Sequence, residues 1–331
     1  MINPIFEPKI LNSLFDELSI ATTILIFGHK SPDGDSIGST LALHHYLKAK
    51  GIQSQVIHPD GFPSFLNWMK GTDSIILFEK QPEEVAELIE KADVIFNLDY
   101  NEQSRVGKDL GDMLKQSKAT KVMIDHHQQP DDFADFTFSD SSSCSTAQLV
   151  YELIEAKLDL DLIDPDLGNC IYTGILTDTG SFRFPSVTYK THLIAANLLT
   201  SGVVHSVIHE KIYDINTPER LQLLGYTLNK KLEVLPEINT AIISLTIEEM
   251  HQFNTQKGYT EGFVNMALSI VGIEVAVFVK EDEKIVKLRN ENKLNECLKS
   301  LDKAEEDIKG GRIYSHNEVM ESLTKKYDLK I

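Results

Sequence analysis

The stretch Phe27-Gly-His-Lys-Ser-Pro-Asp-Gly-Asp-Ser-Ile-Gly38 constrains this chain more than any other. It follows the apolar run Ile24-Leu-Ile-Phe27 and sets one imidazole and two carboxylates, His29, Asp33 and Asp35, around Pro32 and Gly34. A turn of that composition belongs at the rim of a core, not inside it. His29 and Asp33, four positions apart on a Pro/Gly turn, can close on one cation while Asp35 turns toward a second. A helix is predicted from Ser36 to Lys50, stopped by Gly51, and its first N–H groups would aim at the same place, favouring an anion there. A cation site beside an anion site points to metal-assisted phosphate chemistry. Taken alone, the stretch leaves an ordinary Asp/Gly turn open as the alternative.

Three more clusters each follow an apolar run. Val94-Ile-Phe-Asn-Leu98 ends in Asp99, and Lys121-Val-Met-Ile124 ends in Asp125-His126-His127. Asp178 closes an apolar, helical stretch and is followed by Thr179, Gly180, Ser181 and Arg183. Other segments alternate between strand and helix. Gln55–His58 and Ser74–Phe78 read as strands. Helical spacing runs over Glu7–Leu18, Pro82–Lys91 and Val187–Ser201, and again to Asp214. Strands alternating with helices imply a parallel sheet, whose ligands gather beyond the carboxyl ends of the strands. The clusters are therefore expected to converge in space.

The texture changes after Thr217-Pro-Glu-Arg, which has an N-cap, a proline at the first helical position and an early Glu, and so opens a helix predicted to reach Lys231. Beyond it, Leu232–Val234 and Thr240–Thr246 read as strands and Ile247–Phe253 as a capped helix. Glu274–Lys280 and Lys284–Arg289 read as a hairpin. The expected fold is α/β: a parallel-sheet domain over residues 1–214, a linker helix over 215–231, and a smaller α+β domain over 232–331.

Charge and cysteines narrow the function. The formal net charge of -18 argues against a protein that tracks long duplex nucleic acid by neutralising phosphates, though not against a short anionic substrate held by metals and a few arginines. Cys144, Cys170 and Cys297 show no paired spacing, which disfavours a disulfide framework or a thiolate zinc site. No apolar run has bilayer length and the first residues lack a signal-peptide pattern, so no membrane partner and a cytoplasmic location are expected. A homodimer is compatible with these features.

GHKSPDGDSIGS, NLDYN, IDHHQQP and TGILTDTGSFRF, in this order, resemble the four motifs of the DHH phosphoesterase superfamily. The chain is most similar to the branch of bifunctional oligoribonucleases and 3'-phosphoadenosine-5'-phosphate (pAp) phosphatases, and its C-terminal region resembles the DHHA1 domain. The resemblance implies that His29 and Asp33 hold one metal, that Asp35, His126 and Asp178 hold another, and that Asp99 bridges both. It also implies that Asp125 orients His126 and that His127 faces the substrate phosphate. Oxygen and imidazole ligands without thiolates suit Mn²⁺, with Mg²⁺, Co²⁺ or Fe²⁺ as substitutes. The expected reaction is hydrolysis of a small phosphorylated nucleotide or short oligonucleotide by in-line attack of a metal-bridging hydroxide. Arg105 and Arg183, the basic residues nearest the second and fourth motifs, and Arg289, at the end of a predicted strand, are the substrate-binding candidates.

One element of the branch is missing. Relatives carry a GGGH motif near the end of the DHHA1 domain, whereas here the region runs from Asn295 to Arg312, with Gly310-Gly311-Arg312 and then His316. Two other readings therefore stand beside the first. One is a phosphoanhydride hydrolase acting on pyrophosphate or polyphosphate, and the other is a nucleotide-binding protein without turnover.

Overall fold

The structure, a computed structural model, describes residues 4–256, 258–281 and 283–288. The chain divides into two units, Met1–Ile215 and Asn216–Ile331.

In the first unit, α1 (Pro8–Ile20) leads into β1 (Ile24–Phe27), α2 (Gly34–Ala49), β2 (Gln55–His58), β3 (Ile76–Leu77), α3 (Pro82–Lys91) and β4 (Val94–Leu98). Then come α4 (Lys108–Gln116), β5 (Thr120–Asp125), β6 (Phe136–Ser139), α5 (Thr146–Ala156), α6 (Pro165–Asp178), α7 (Tyr189–Thr200) and α8 (His205–Tyr213). The six strands form one sheet in the order β3-β2-β1-β4-β5-β6, and every pairing is parallel. The runs Ile24–Phe27 and Val94–Leu98 are buried throughout, as strands covered on both faces must be. Their side chains alternate between two cores. Ile24, Ile26, Val94, Phe96 and Leu98 pack with α1, α2, α5 and α6, while Leu25, Phe27 and Ile95 pack with Val85 and Ile89 of α3 and Leu110 and Leu114 of α4. The expected parallel-sheet α/β architecture is what the chain forms.

This strand order fixes where chemistry can collect. From β1 the chain turns one way through β2 to β3, and from β4 the other way through β5 to β6. The adjacent ends of β1 and β4 thus form a topological switch point, a crevice open beyond the strands' carboxyl ends. His29 leaves β1 and Asp99 leaves β4 at that crevice. Around it the helices pack closely. A Cβ on Gly38 of α2 would lie 2.6 Å from the carbonyl oxygen of Cys170 in α6, and one on Gly174 of α6 would lie 2.4 Å from the Cβ of Ala147 in α5 and 2.6 Å from Oδ1 of Asp35.

The second unit carries α9 (Pro218–Tyr226), followed by a π-helical turn over Thr227–Lys231, then β7 (Leu232–Leu235), β8 (Thr240–Leu245), α10 (Ile247–Gln252), α11 (Phe263–Leu268), β9 (Val275–Lys280) and β10 (Glu283–Leu288). Its four-stranded sheet has the order β10-β9-β8-β7 and is mixed, with only β8 and β9 parallel. Burial alternates strictly along β8, so one face of this sheet is covered, by Leu223, Phe263 and Ala267 among others. The predicted hairpin is present as β9 and β10. Arg289, Gly310, Gly311, Arg312 and His316 lie outside the described residues. Among the described residues no single helix is long and apolar enough to cross a membrane.

Candidate metal centre

The turn after β1 is built by its own side chains. Asp33 caps α2: its Oδ1 accepts from the N–H groups of Asp35 and Ser36 at 3.0 Å each. The helix therefore starts at Gly34, two residues earlier than predicted, and the first amides expected to face an external anion are taken up by a carboxylate of the chain itself. Ser31, at φ 54°, is tied down by Asp60, whose Oδ1 accepts its N–H at 2.6 Å. Asp99 has φ 64°, a left-handed conformation that Asp tolerates better than most residues and that turns the chain sharply at the end of β4.

The structure brings seven of the predicted side chains together. His29 Nε2 lies 3.4 Å from Asp99 Oδ2 and 3.8 Å from Asp33 Oδ1. His126 Nε2 lies 3.4 Å from Asp178 Oδ2, 3.6 Å from Asp99 Oδ1 and 3.9 Å from Asp35 Oδ2. His127 Nδ1 is 3.9 Å from Asp99 Oδ1. Most of these separations are long for a hydrogen bond. They approach the roughly 3.0–3.4 Å expected between two atoms each bound at about 2.1 Å to a common ion. Three overlapping groups could each hold a metal ion: His29, Asp33 and Asp99; Asp35, His126 and Asp178; and Asp99, His126 and His127. Asp99 and His126 each belong to two of them.

The electrostatics fit that chemistry. Among the described residues, the ion pairs made by Asp33, Asp35, Asp99 and Asp178 are with imidazoles alone. Burial and the charges of Asp99 and Asp178 drive the Asp35 carboxyl well above the usual carboxylate range. Burial also pushes Asp178 up to about 7, with the charges of Asp33 and Asp99 adding to it against His126. Burial disfavours charge on His29, yet the neighbouring carboxylates of Asp33 and Asp99 outweigh it and raise the imidazole to about 10. Carboxylates this crowded stay ionised together only if cations neutralise them. The open side is marked by exposure: Asp33, His127 and Asp178 keep 57, 33 and 30% of their side-chain surface, while Asp35 and Asp99 keep 1 and 2%.

One expected contact is replaced. Asp125 holds His127, not His126: its Oδ1 is 2.7 Å from His127 Nδ1, and its Oδ2 accepts the His127 N–H at 3.1 Å. His126 instead turns Nδ1 toward the carbonyl oxygen of Ser143 at 3.3 Å. The strand ends at Asp125, and the carboxylate there closes an Asx turn on the N–H two residues on, which brings the His127 ring beside it and leaves His126 free to face Ser143. Burial disfavours charge on His127, but the bond to Asp125 raises its pKa above the ordinary imidazole value.

The predicted arginines lie at the edges. Arg105 is exposed in a short 3-10 turn over Gln103–Val106, and its carbonyl oxygen accepts the N–H of Lys30 at 2.8 Å, joining it to the His29 turn. Arg183 is exposed just after Gly180, Ser181 and Phe182, three consecutive left-handed residues with φ between 55° and 64°, and its guanidinium lies 6.0 Å from the Phe184 ring centroid. The sequence reading missed the segment Asp140–Ala147. Its only signal was the N-cap pattern of Ser145 before an apolar helix, with Ser145 Oγ accepting from Gln148 N–H at 3.0 Å.

The chain is similar to several known proteins. The DHH family, N-terminal domain, matches residues 23–175. The bifunctional oligoribonuclease and PAP phosphatase of Thermus thermophilus is 28% identical over 268 residues, covering 80% of this chain and 74% of that protein. The protein of the same description from Bacillus subtilis is 26% identical over 284 residues, covering 85% and 84%. The crystal structure of an exopolyphosphatase-related protein from Bacteroides fragilis superposes with a TM-score of 0.80 at 38% identity, over 83% of this chain and 81% of that one.

Proposed function

Because the chain belongs to the DHH family, we propose that it hydrolyses phosphoesters of small nucleotides, such as pAp-like 3'-phosphonucleotides or short oligoribonucleotides, at a centre for two divalent ions. The observation that carries this reading is the sharing of Asp99 between ligand groups, with Oδ2 toward His29 and Oδ1 toward His126. His29, Asp33 and Asp99 would hold one ion, and Asp35, Asp99, His126 and Asp178 the other. The all-oxygen and imidazole donor set suits Mn²⁺, with Mg²⁺, Co²⁺ or Fe²⁺ able to substitute. Such ions supply Lewis acidity toward water and toward the phosphoryl oxygens.

The protein's own groups would orient the substrate. Asp125 fixes the His127 ring through Nδ1 and favours its protonated form, leaving Nε2–H to donate to a phosphoryl oxygen as negative charge grows there. Arg105 and Arg183 would receive further phosphates at the rim, by charge-assisted hydrogen bonds of the kind guanidinium forms well. Residues 1–214 are assigned catalysis and 232–331, with Arg289, substrate recognition.

The experiment is a panel of pAp, di- to pentanucleotides, pyrophosphate and polyphosphate with Mn²⁺. Release of phosphate from pAp or of mononucleotides from the oligomers is expected. A specific observation favours a second reading, a phosphoanhydride hydrolase: the similar solved structure is described as exopolyphosphatase-related. Turnover confined to pyrophosphate or polyphosphate would replace the first reading with that one, and binding without turnover of any of them would overturn both.

A further inference from the structure

The segment Asp140–Ala147 belongs to none of the four clusters, yet three proposed ligands rest on it. Asp35 is gripped at both oxygens by the start of α5: Oδ2 accepts from Thr146 N–H at 2.7 Å and Oδ1 from Ala147 N–H at 2.9 Å. The Thr146 hydroxyl donates to Asp99 Oδ1 at 3.0 Å. Ser143, three residues earlier, supplies the carbonyl oxygen that faces His126 Nδ1. Thr146 is completely buried.

We propose that Thr146 is a positioning residue of the metal centre, one side chain and one amide that together set the shared carboxylate of Asp99 and the carboxylate of Asp35. This rests on the two-ion reading above. The two oxygens of a carboxylate are chemically equivalent. The torsion about the bond to a carboxylate is broad, so Asp99 alone does not keep Oδ2 toward His29 and Oδ1 toward His126. A hydrogen bond to one oxygen only fixes the plane. Thr146 is β-branched, which narrows its own rotamers and holds the hydroxyl where Asp99 needs it. Its backbone N–H meanwhile serves Asp35 whatever the side chain. The two contributions are therefore separable by mutation: Thr146→Val deletes the donor to Asp99 and retains the amide to Asp35, whereas Thr146→Ser retains both. A group behind a metal ligand typically changes metal affinity or activity by about 10–100-fold when removed.

The test is calorimetric titration of metal-depleted full-length protein with Mn²⁺, alongside kcat and KM on whichever substrate of the panel is turned over. For Thr146→Val we expect Mn²⁺ affinity about 10–100-fold weaker, kcat lower by a similar factor, and KM close to wild type because a buried residue does not touch substrate. Thr146→Ser should recover most of the affinity. Mn²⁺ binding by Thr146→Val within twofold of wild type would overturn the proposal. If the Val variant fails to fold by circular dichroism, Thr146→Ala against Thr146→Ser carries the comparison, and equal affinities overturn it. The wild-type titration separates the two levels: absence of Mn²⁺ binding there removes the two-ion reading and this proposal with it, whereas wild-type binding with an indifferent Thr146 removes the proposal alone.

Discussion

Replacing Gly174 by Ala tests whether the site depends on the tight approach of α5 and α6. The added Cβ would stand 2.4 Å from the Cβ of Ala147 and 2.6 Å from Oδ1 of Asp35. Carbon atoms in ordinary contact sit about 3.5–4.0 Å apart, so the helices must separate by about 1 Å, and Ala147 has no rotamer with which to yield. Overpacking of this kind costs about 1–3 kcal/mol, against about 1 kcal/mol regained because Ala is the better helix former. A net loss of about 1 kcal/mol is expected, equivalent to a fall of about 2–4 °C in the unfolding midpoint for a unit of this size. The larger effect should be on metal. A displacement of about 1 Å carries the amides of Thr146 and Ala147 out of reach of Asp35, now bonded at 2.7 and 2.9 Å, and should weaken Mn²⁺ binding about 10–100-fold. Gly225→Ala in α9 is the matched control. Among the described residues nothing lies within 4 Å of the Cβ it would add, so it should raise stability by about 0.5–1 kcal/mol. The assays are thermal unfolding and Mn²⁺ titration of both variants. A Gly174→Ala protein that melts higher than wild type, or binds Mn²⁺ equally well, would refute the packing argument.

Mn²⁺ at a hundred times its dissociation constant should stabilise the wild type by about 2.7 kcal/mol, and Asp99→Asn should abolish most of that shift in a thermal melt; an undiminished shift would remove Asp99 from the site. Asp125→Asn substitutes an amide for the carboxylate 2.7 Å from His127 Nδ1 and should lower kcat about 10–100-fold with little change in KM, so unchanged turnover would contradict the role given to the pair. In the second unit, burial would raise Glu249, but Tyr226, the Thr246 N–H and Lys231 together hold it down to about 2 from an ordinary 4.5. A depressed folded pKa means the stabilisation is present above pH 4.5 and is lost as pH falls toward 2. Glu249→Gln should therefore flatten the decline of stability across that window, and an unaltered acid profile would refute it.

The elements that reveal themselves in the sequence are those whose physics is local. Ile24–Phe27 and Val94–Leu98 are apolar without alternation because both faces of the sheet are covered, and both strands lie where that pattern puts them. His29, Asp99 and the Asp125–His127 run were legible as a group because each follows such a strand. The predicted strand Ser74–Phe78 shrinks to Ile76–Leu77, since Thr72–Ser74 close a 3-10 turn instead. The hold of Thr146 and Ala147 on Asp35 was not legible, because it is made by backbone N–H groups 111 and 112 residues away, which every residue but proline possesses. The partner of Asp125 was misjudged for a related reason: the resemblance supplies residue types, while the turn that the Asp125 carboxylate closes on the His127 N–H decides which imidazole it meets.

The most direct test of the account is a crystal structure of the protein grown with Mn²⁺, with anomalous scattering measured above the manganese edge. Two peaks are predicted, one reached by His29, Asp33 and Asp99 and the other by Asp35, Asp99, His126 and Asp178. A single peak, or a pair that does not share Asp99, would contradict it.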